Sequence, residues 1–140
     1  GYKVEGFTGV IDSLVSYYNI SMSLLDRNNC KALFKSQSPI YTKVRDDMPT
    51  IYGLESQVKN SLVADGCILD GEVENCILFR GVKIGKGAKV SNSIIMQGTV
   101  IEDNVTLDYV ITDKNVTVSS GKSLSGVNSF PVCIGKGIVI

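Results

Sequence analysis

From Val73 onward the apolar positions of the chain recur at an interval of 17 residues. Three successive rows, Val73–Lys89, Val90–Thr106 and Leu107–Ser123, lay over one another, a fourth opens at Leu124, and an earlier row, Val58–Glu72, has the same beginning but is two residues shorter. Val58, Val73, Val90, Leu107 and Leu124 form one aliphatic column; Leu69, Ile84, Ile101 and Val118 a second; Leu62, Ile77, Ile94 and Ile111 a third. Cys67, Val82, Thr99 and Val116 make a column of small or β-branched residues, and Asn60, Asn75 and Asn92 align where a corner needs a residue that tolerates left-handed backbone angles. Each row divides as six, five and six residues. A period this short, built of β-branched runs without helical spacing, predicts a triangular solenoid of short parallel strands. Its rows would stack at about 4.8 Å, with each inward aliphatic on its counterpart one row away. The third column is expected inside with the others, so an aspartate at Ile94 would bury an unpaired charge in the stack.

The first fifty residues follow another pattern. Ile11, Leu14, Val15, Tyr18, Met22 and Leu25 recur at steps of three and four, which predicts an amphipathic helix from about Val10 to Leu25, and a shorter helical piece is expected over Asn29–Phe34. Ser38–Gly53 carries two prolines and little periodicity and reads as an extended connector. Gly1–Gly9 reads as a cut edge. The resulting division is a helical piece and connector over residues 1–50 and a solenoid over residues 51–140.

Fourteen basic and fourteen acidic side chains cancel, so the chain has no excess of cations with which to follow a nucleic-acid backbone. No apolar run approaches the roughly 20 residues that span a bilayer, and a cytoplasmic protein is expected. Cys30, Cys67, Cys76 and Cys133 are widely spaced and read as small buried thiols. The absence of histidine removes the commonest general base, the Ser-His and Cys-His nucleophile pairs and His-ligated metal sites. Acyltransferases and carbonic anhydrases built on similar coils depend on histidine, so neither fits.

Specific motifs extend this reading. I-G-K-G-A at Ile84–Ala88 and I-G-K-G-I at Ile134–Ile138 resemble hexapeptide-repeat proteins, which implies a mainly β, left-handed parallel β-helix. Gly9–Leu25, Pro39–Lys43, Asn60–Val82 and Val110–Asn115 resemble, in order, the C-terminal third of bacterial ADP-glucose pyrophosphorylases (glucose-1-phosphate adenylyltransferases). Y-Y-N-I-S-M-S-L-L, S-I-I-M-Q at Ser93–Gln97 and S-F-P-V-C-I-G-K-G near the end are most similar to the GlgD-type regulatory subunit. The resemblance implies an oligomerisation and allosteric domain in glycogen biosynthesis, partnered by a GlgC-type catalytic subunit or by itself in a tetramer. Catalytic residues, magnesium and ATP would then belong to a separate nucleotidyltransferase domain, against which the first helix would pack, leaving Tyr17, Tyr18 or Met22 partly exposed. Lys114, in Asp113-Lys114-Asn115, and Lys136 match family lysines that bind anionic effectors such as phosphorylated sugars or inorganic phosphate. They would meet if the tail beyond Pro131 returned along the outside of the solenoid. The alternative is a non-catalytic β-helix module of another nucleotidyltransferase-like protein, such as a translation-factor subunit.

Overall fold

In the computed structural model, which describes residues 1–140, the repeat closes into a three-sided solenoid of parallel strands. The first side contains β1 (Ile51–Tyr52), β4 (Ile68–Leu69), β7 (Lys83–Ile84), β10 (Val100–Ile101) and β13 (Thr117–Val118). The second contains β2 (Gln57–Lys59), β5 (Glu72–Glu74), β8 (Lys89–Ser91), β11 (Thr106–Asp108) and β14 (Ser123–Ser125). The third contains β3 (Leu62–Val63), β6 (Ile77–Leu78), β9 (Ile94–Ile95), β12 (Val110–Thr112) and β15 (Val132–Ile134). Every neighbouring pair is parallel and in the register of the repeat, as in Val73↔Val90 and Ile84↔Ile101. The interior is one continuous stack of aliphatic and small side chains, with Leu69, Val73, Ile84, Ile101 and Leu107 all buried.

The third aliphatic column corrects the sequence reading. On the third side the inward positions are Val63, Leu78, Ile95 and Thr112, one residue later than expected. Ile77, Ile94 and Ile111 do share a face, but it is the outer one. Side chains alternate along a strand, so a sequence that is apolar at both positions, such as Ile94-Ile95, cannot say which residue points inward. Thr112 is an inward polar residue whose Oγ1 lies 3.4 Å from Thr99 Oγ1 and accepts from the Met96 N–H at 3.2 Å, so its burial leaves no orphan.

The outer column is covered by the N-terminal helices. Helix α1 (Leu14–Ser23) begins four residues later than Val10, because Ser13 and Ser16 form a reciprocal capping box that starts the helix there. Asp26 caps α2 (Arg27–Leu33) by accepting from the N–H groups of Asn28 and Asn29. Tyr18 is 3 % exposed and seals Ile94 and Ile111, with Tyr17 and Met22 half-buried around it. Of the three residues expected to remain partly exposed, Tyr17 and Met22 do, while Tyr18 is enclosed because α1 turns it onto the solenoid. The Tyr18 hydroxyl donates to the carbonyl of Asn92 at 2.6 Å, and burial raises its pKa above the ordinary 10.0.

The corners explain the conserved spacing of the repeat. Asn60, Asn75 and Asn92 turn with φ of 42°, 52° and 46°, and their side-chain amides form a ladder, Asn60 to Asn75 at 2.7 Å and Asn75 to Asn92 at 3.3 Å. In the short row the chain passes from β4 to β5 through Asp70 and Gly71 alone, where the following rows use four residues. A Cβ on Gly71 would meet the carbonyl oxygens of Ala88 at 2.5 Å and Gly85 at 2.8 Å. Gly71→Ala is accordingly expected to destabilise the chain by about 2–3 kcal/mol, checked by its urea midpoint; an unchanged midpoint would show that this corner has room.

Two further expectations are corrected. Cys67 and Cys76 are buried, but Cys30 is half-buried and Cys133 is exposed, because Cys133 continues the outer column past Ile111. The tail does not run back along the outside. After six residues, Gly126–Pro131, it re-enters the stack as β15, paired on β12, and Val139 bridges Thr117 in the next position of the first side. Val132 and Ile134 supply the apolar residues that the row beginning at Leu124 lacks.

Candidate functional site

The corner between the third and first sides carries the two lysines singled out by sequence. Each coil turns there through a left-handed residue: Gly66, Gly81, Gly98, Asn115 and Gly137 all have φ between 57° and 74°. The residue just before each one forms an outward column of Asp65, Arg80, Gln97, Lys114 and Lys136. The backbone ties these together coil to coil: the N–H of Gly81 donates to Asp65 O at 3.2 Å, Gly98 to Arg80 O at 3.0 Å, Asn115 to Gln97 O at 2.9 Å and Gly137 to Lys114 O at 3.0 Å.

Lys114 and Lys136 thus occupy equivalent positions on adjacent coils, two residues beyond the paired Thr112 and Ile134, and both are exposed. Their backbones stand one strand spacing apart, about 4.8 Å. At that backbone separation the two exposed side chains leave from one stretch of surface. Asp113 belongs to the same corner, its carboxylate accepting from the Lys114 N–H at 2.6 Å, and it offsets part of the positive charge.

Sequence inspection did not assign a role to Arg80, although stepping back from Lys114 by 17 residues twice reaches Gln97 and then Arg80. Arg80 and Gln97 line a cavity of about 350 Å³ together with Thr42, Lys43, Arg45, Phe79 and Ala64. The connector is held there by the Met48 carbonyl, which accepts from the Gly66 N–H at 2.7 Å, and by Thr50 Oγ1, which donates to the Ala64 carbonyl at 2.8 Å. Three cations line this cavity and no carboxylate does; the nearest ion pair, Arg80 with Asp47, is loose at 3.9 Å. The signal that could have found it is the column alignment, since the connector itself has no period.

Nothing in the arrangement supplies a nucleophile with a base. No group of three or more His, Cys, Asp or Glu side chains is placed to hold a metal ion. The two buried thiols are held protonated, Cys76 being pushed up to about 12 chiefly by burial, and neither is poised as a thiolate. No helix is long and apolar enough to cross a membrane.

Comparison with known proteins places these observations among relatives. Residues 48–129 match the family described as GlmU-like, C-terminal hexapeptide. A glycogen biosynthesis protein GlgD of Bacillus subtilis (strain 168) is 49 % identical over 138 residues, which cover 99 % of this chain and 40 % of that protein. A glucose-1-phosphate adenylyltransferase of Clostridium perfringens (strain SM101 / Type A) is 33 % identical over 139 residues, 99 % of this chain and 36 % of the relative. A second GlgD, of Geobacillus stearothermophilus, is 59 % identical over 70 residues, half of this chain and 20 % of the relative. The chain therefore spans less than half the length of the curated relatives it matches.

Proposed function

Since the chain belongs to the GlmU-like C-terminal hexapeptide family, we propose that it is the assembly and regulatory domain of a GlgD-type subunit of glucose-1-phosphate adenylyltransferase, acting in cytoplasmic glycogen biosynthesis. The likeness to GlgD over 99 % of the chain carries this reading, and the adenylyltransferase relatives supply the reaction class, formation of ADP-glucose from ATP and glucose 1-phosphate. The domain would associate with a GlgC-type catalytic subunit or with further copies of itself. Magnesium and ATP belong, on this reading, to the catalytic part of the parent. The acidic and thiol side chains of this chain form no cluster of three or more that would hold a divalent metal. The 140-residue chain alone is expected to form no ADP-glucose, which a radiometric assay with labelled glucose 1-phosphate would check.

The regulatory part of the proposal rests on the stacked pair Lys114 and Lys136, with Arg80, Lys43 and Arg45 extending the positive surface along the same edge. A phosphate bound between two ammonium groups gains charge-assisted hydrogen bonds that neither lysine offers alone. In the assembled enzyme, Lys114→Glu or Lys136→Glu is expected to shift the half-effect concentration of inorganic phosphate about tenfold upward, leaving turnover without phosphate unchanged. A phosphate response identical to wild type in both variants would refute the role of the pair.

A further inference from the structure

The cavity between the connector and the coils has a charge balance that the lysine corner does not share. Arg80, Lys43 and Arg45 all line it, and the only carboxylate within 4.0 Å of any of the three is Asp47, whose Oδ2 stands 3.9 Å from Arg80 Nε. That distance is too long for a hydrogen bond. Asp47 is placed there by the corner beneath it, its Cβ lying 3.7 Å from where a Cβ on Gly66 would stand. Lys43 and Arg45 precede Asp47 by four and two residues on the same connector, so one short segment brings two cations and one anion to Arg80. Thr42 and Gln97 add a hydroxyl and an amide to the lining, and Phe79, partly exposed, adds an apolar wall.

We infer that this cavity is a second anion site, separate from the Lys114–Lys136 pair, which takes the phosphate group of a small phosphorylated metabolite, and that Asp47 holds Arg80 until the anion displaces it. A phosphate monoester carries nearly two negative charges against the single charge of Asp47, and its oxygens match the planar guanidinium fork in a bidentate pair. Asp47 reaches only Nε and makes no such pair. Its side chain is already 37 % exposed, so on release it turns to water at little cost. The volume of about 350 Å³ lies within the range of small-molecule pockets, about 300–1,000 Å³, and leaves room for the polar body that the phosphate is attached to. Gln97, which is neutral, stands between Arg80 and Lys114 along the outward column, one coil from each.

Amide NMR of the 140-residue chain, titrated with inorganic phosphate and with sodium chloride at matched ionic strength, reads the two sites separately. The resonances of Lys43, Arg45, Arg80 and Gln97 report the cavity, and those of Lys114 and Lys136 the corner. Arg80→Gln is expected to raise the half-saturating phosphate concentration at the cavity about tenfold. Asp47→Asn removes the competitor and is expected to lower it about threefold, a gain that a damaged fold would not produce. Neither change should move half-saturation at the corner. Cavity resonances that ignore phosphate, that follow chloride equally, or that keep their half-saturation in Asp47→Asn would overturn the second site. Phosphate shifts confined to the cavity would instead count against the lysine pair and leave this site standing.

Discussion

Ile95→Asp is expected to abolish the folded solenoid, whereas Ile94→Asp, one residue earlier, should leave the coils standing and set α1 free. Both side chains are fully buried, so exposure alone does not separate them. Their surroundings do. Ile95 lies in the interior stack among side chains of all three sides, and an aspartate there has neither a partner nor a route to water. The expected loss exceeds about 4 kcal/mol, comparable with the whole stability of a small domain. Ile94 lies on the outer face beside its coil neighbours Ile77, Met96 and Ile111 and beneath Tyr18 of α1, so its aspartate regains water once the helix lifts away. Circular dichroism with limited proteolysis distinguishes the two outcomes: no strand signal for Ile95→Asp, and a retained strand signal with rapid cleavage within residues 1–33 for Ile94→Asp. Loss of the strand signal in both would show that the helix is integral to the stack.

Alkaline pH is expected to unfold the protein through its buried thiols. The Cys76 thiol donates towards the carbonyls of Glu74 and Val90 and is wholly enclosed, so its ionised form is disfavoured and its pKa stands at about 12 instead of 9.0. Between those values the folded state holds a proton that the unfolded chain has released, and stability falls as pH rises. The slope is about 1.4 kcal/mol per pH unit for one thiol, or about 4 kcal/mol from pH 9 to pH 12, with Cys67 and Tyr18 adding in the same direction. Cys76→Val should flatten the slope by the amount of one thiol, because Val110 already fills the same inward position two coils along the column. Urea unfolding at pH 8, 9 and 10 makes the measurement; a wild-type stability that stays level above pH 9 contradicts the account.

The sequence made the stacking legible because an in-register solenoid repeats its contacts, so each column reports one environment several times. Asn60, Asn75 and Asn92 could be placed at a left-handed corner for that reason. Where one residue departs from its column the repeat gives no help, and Tyr109 was not singled out. The direction of the Ile94–Ile95 pair was equally unreadable, since an apolar run on both faces has no period of two to phase it. Its phase is set by the coils, which take Ile95 into the interior stack, and the outward Ile94 is then covered by α1, a segment more than 70 residues away whose own periodicity says only that it needs a partner. The lysine corner shows the same division. Lys114 and Lys136 were identified from motifs and stand on adjacent coils, by a route through β15 that the six-residue interruption at Gly126–Pro131 concealed. Arg80 was recoverable from the column, while Lys43 and Arg45 lie on a connector whose course is fixed by a few backbone bonds and not by pattern.

The coil that carries Lys136 joins its neighbour through a strand on the third side and a bridge on the first. A stack of this kind is held by nearest neighbours, so it comes apart like a zipper from its weaker end. Lys136 rides on the coil of β15 and Lys114 on the neighbouring coil of β12. A divalent anion seated across the two would act as a staple, raising the force or temperature at which the terminal coil lifts without touching the rest of the solenoid.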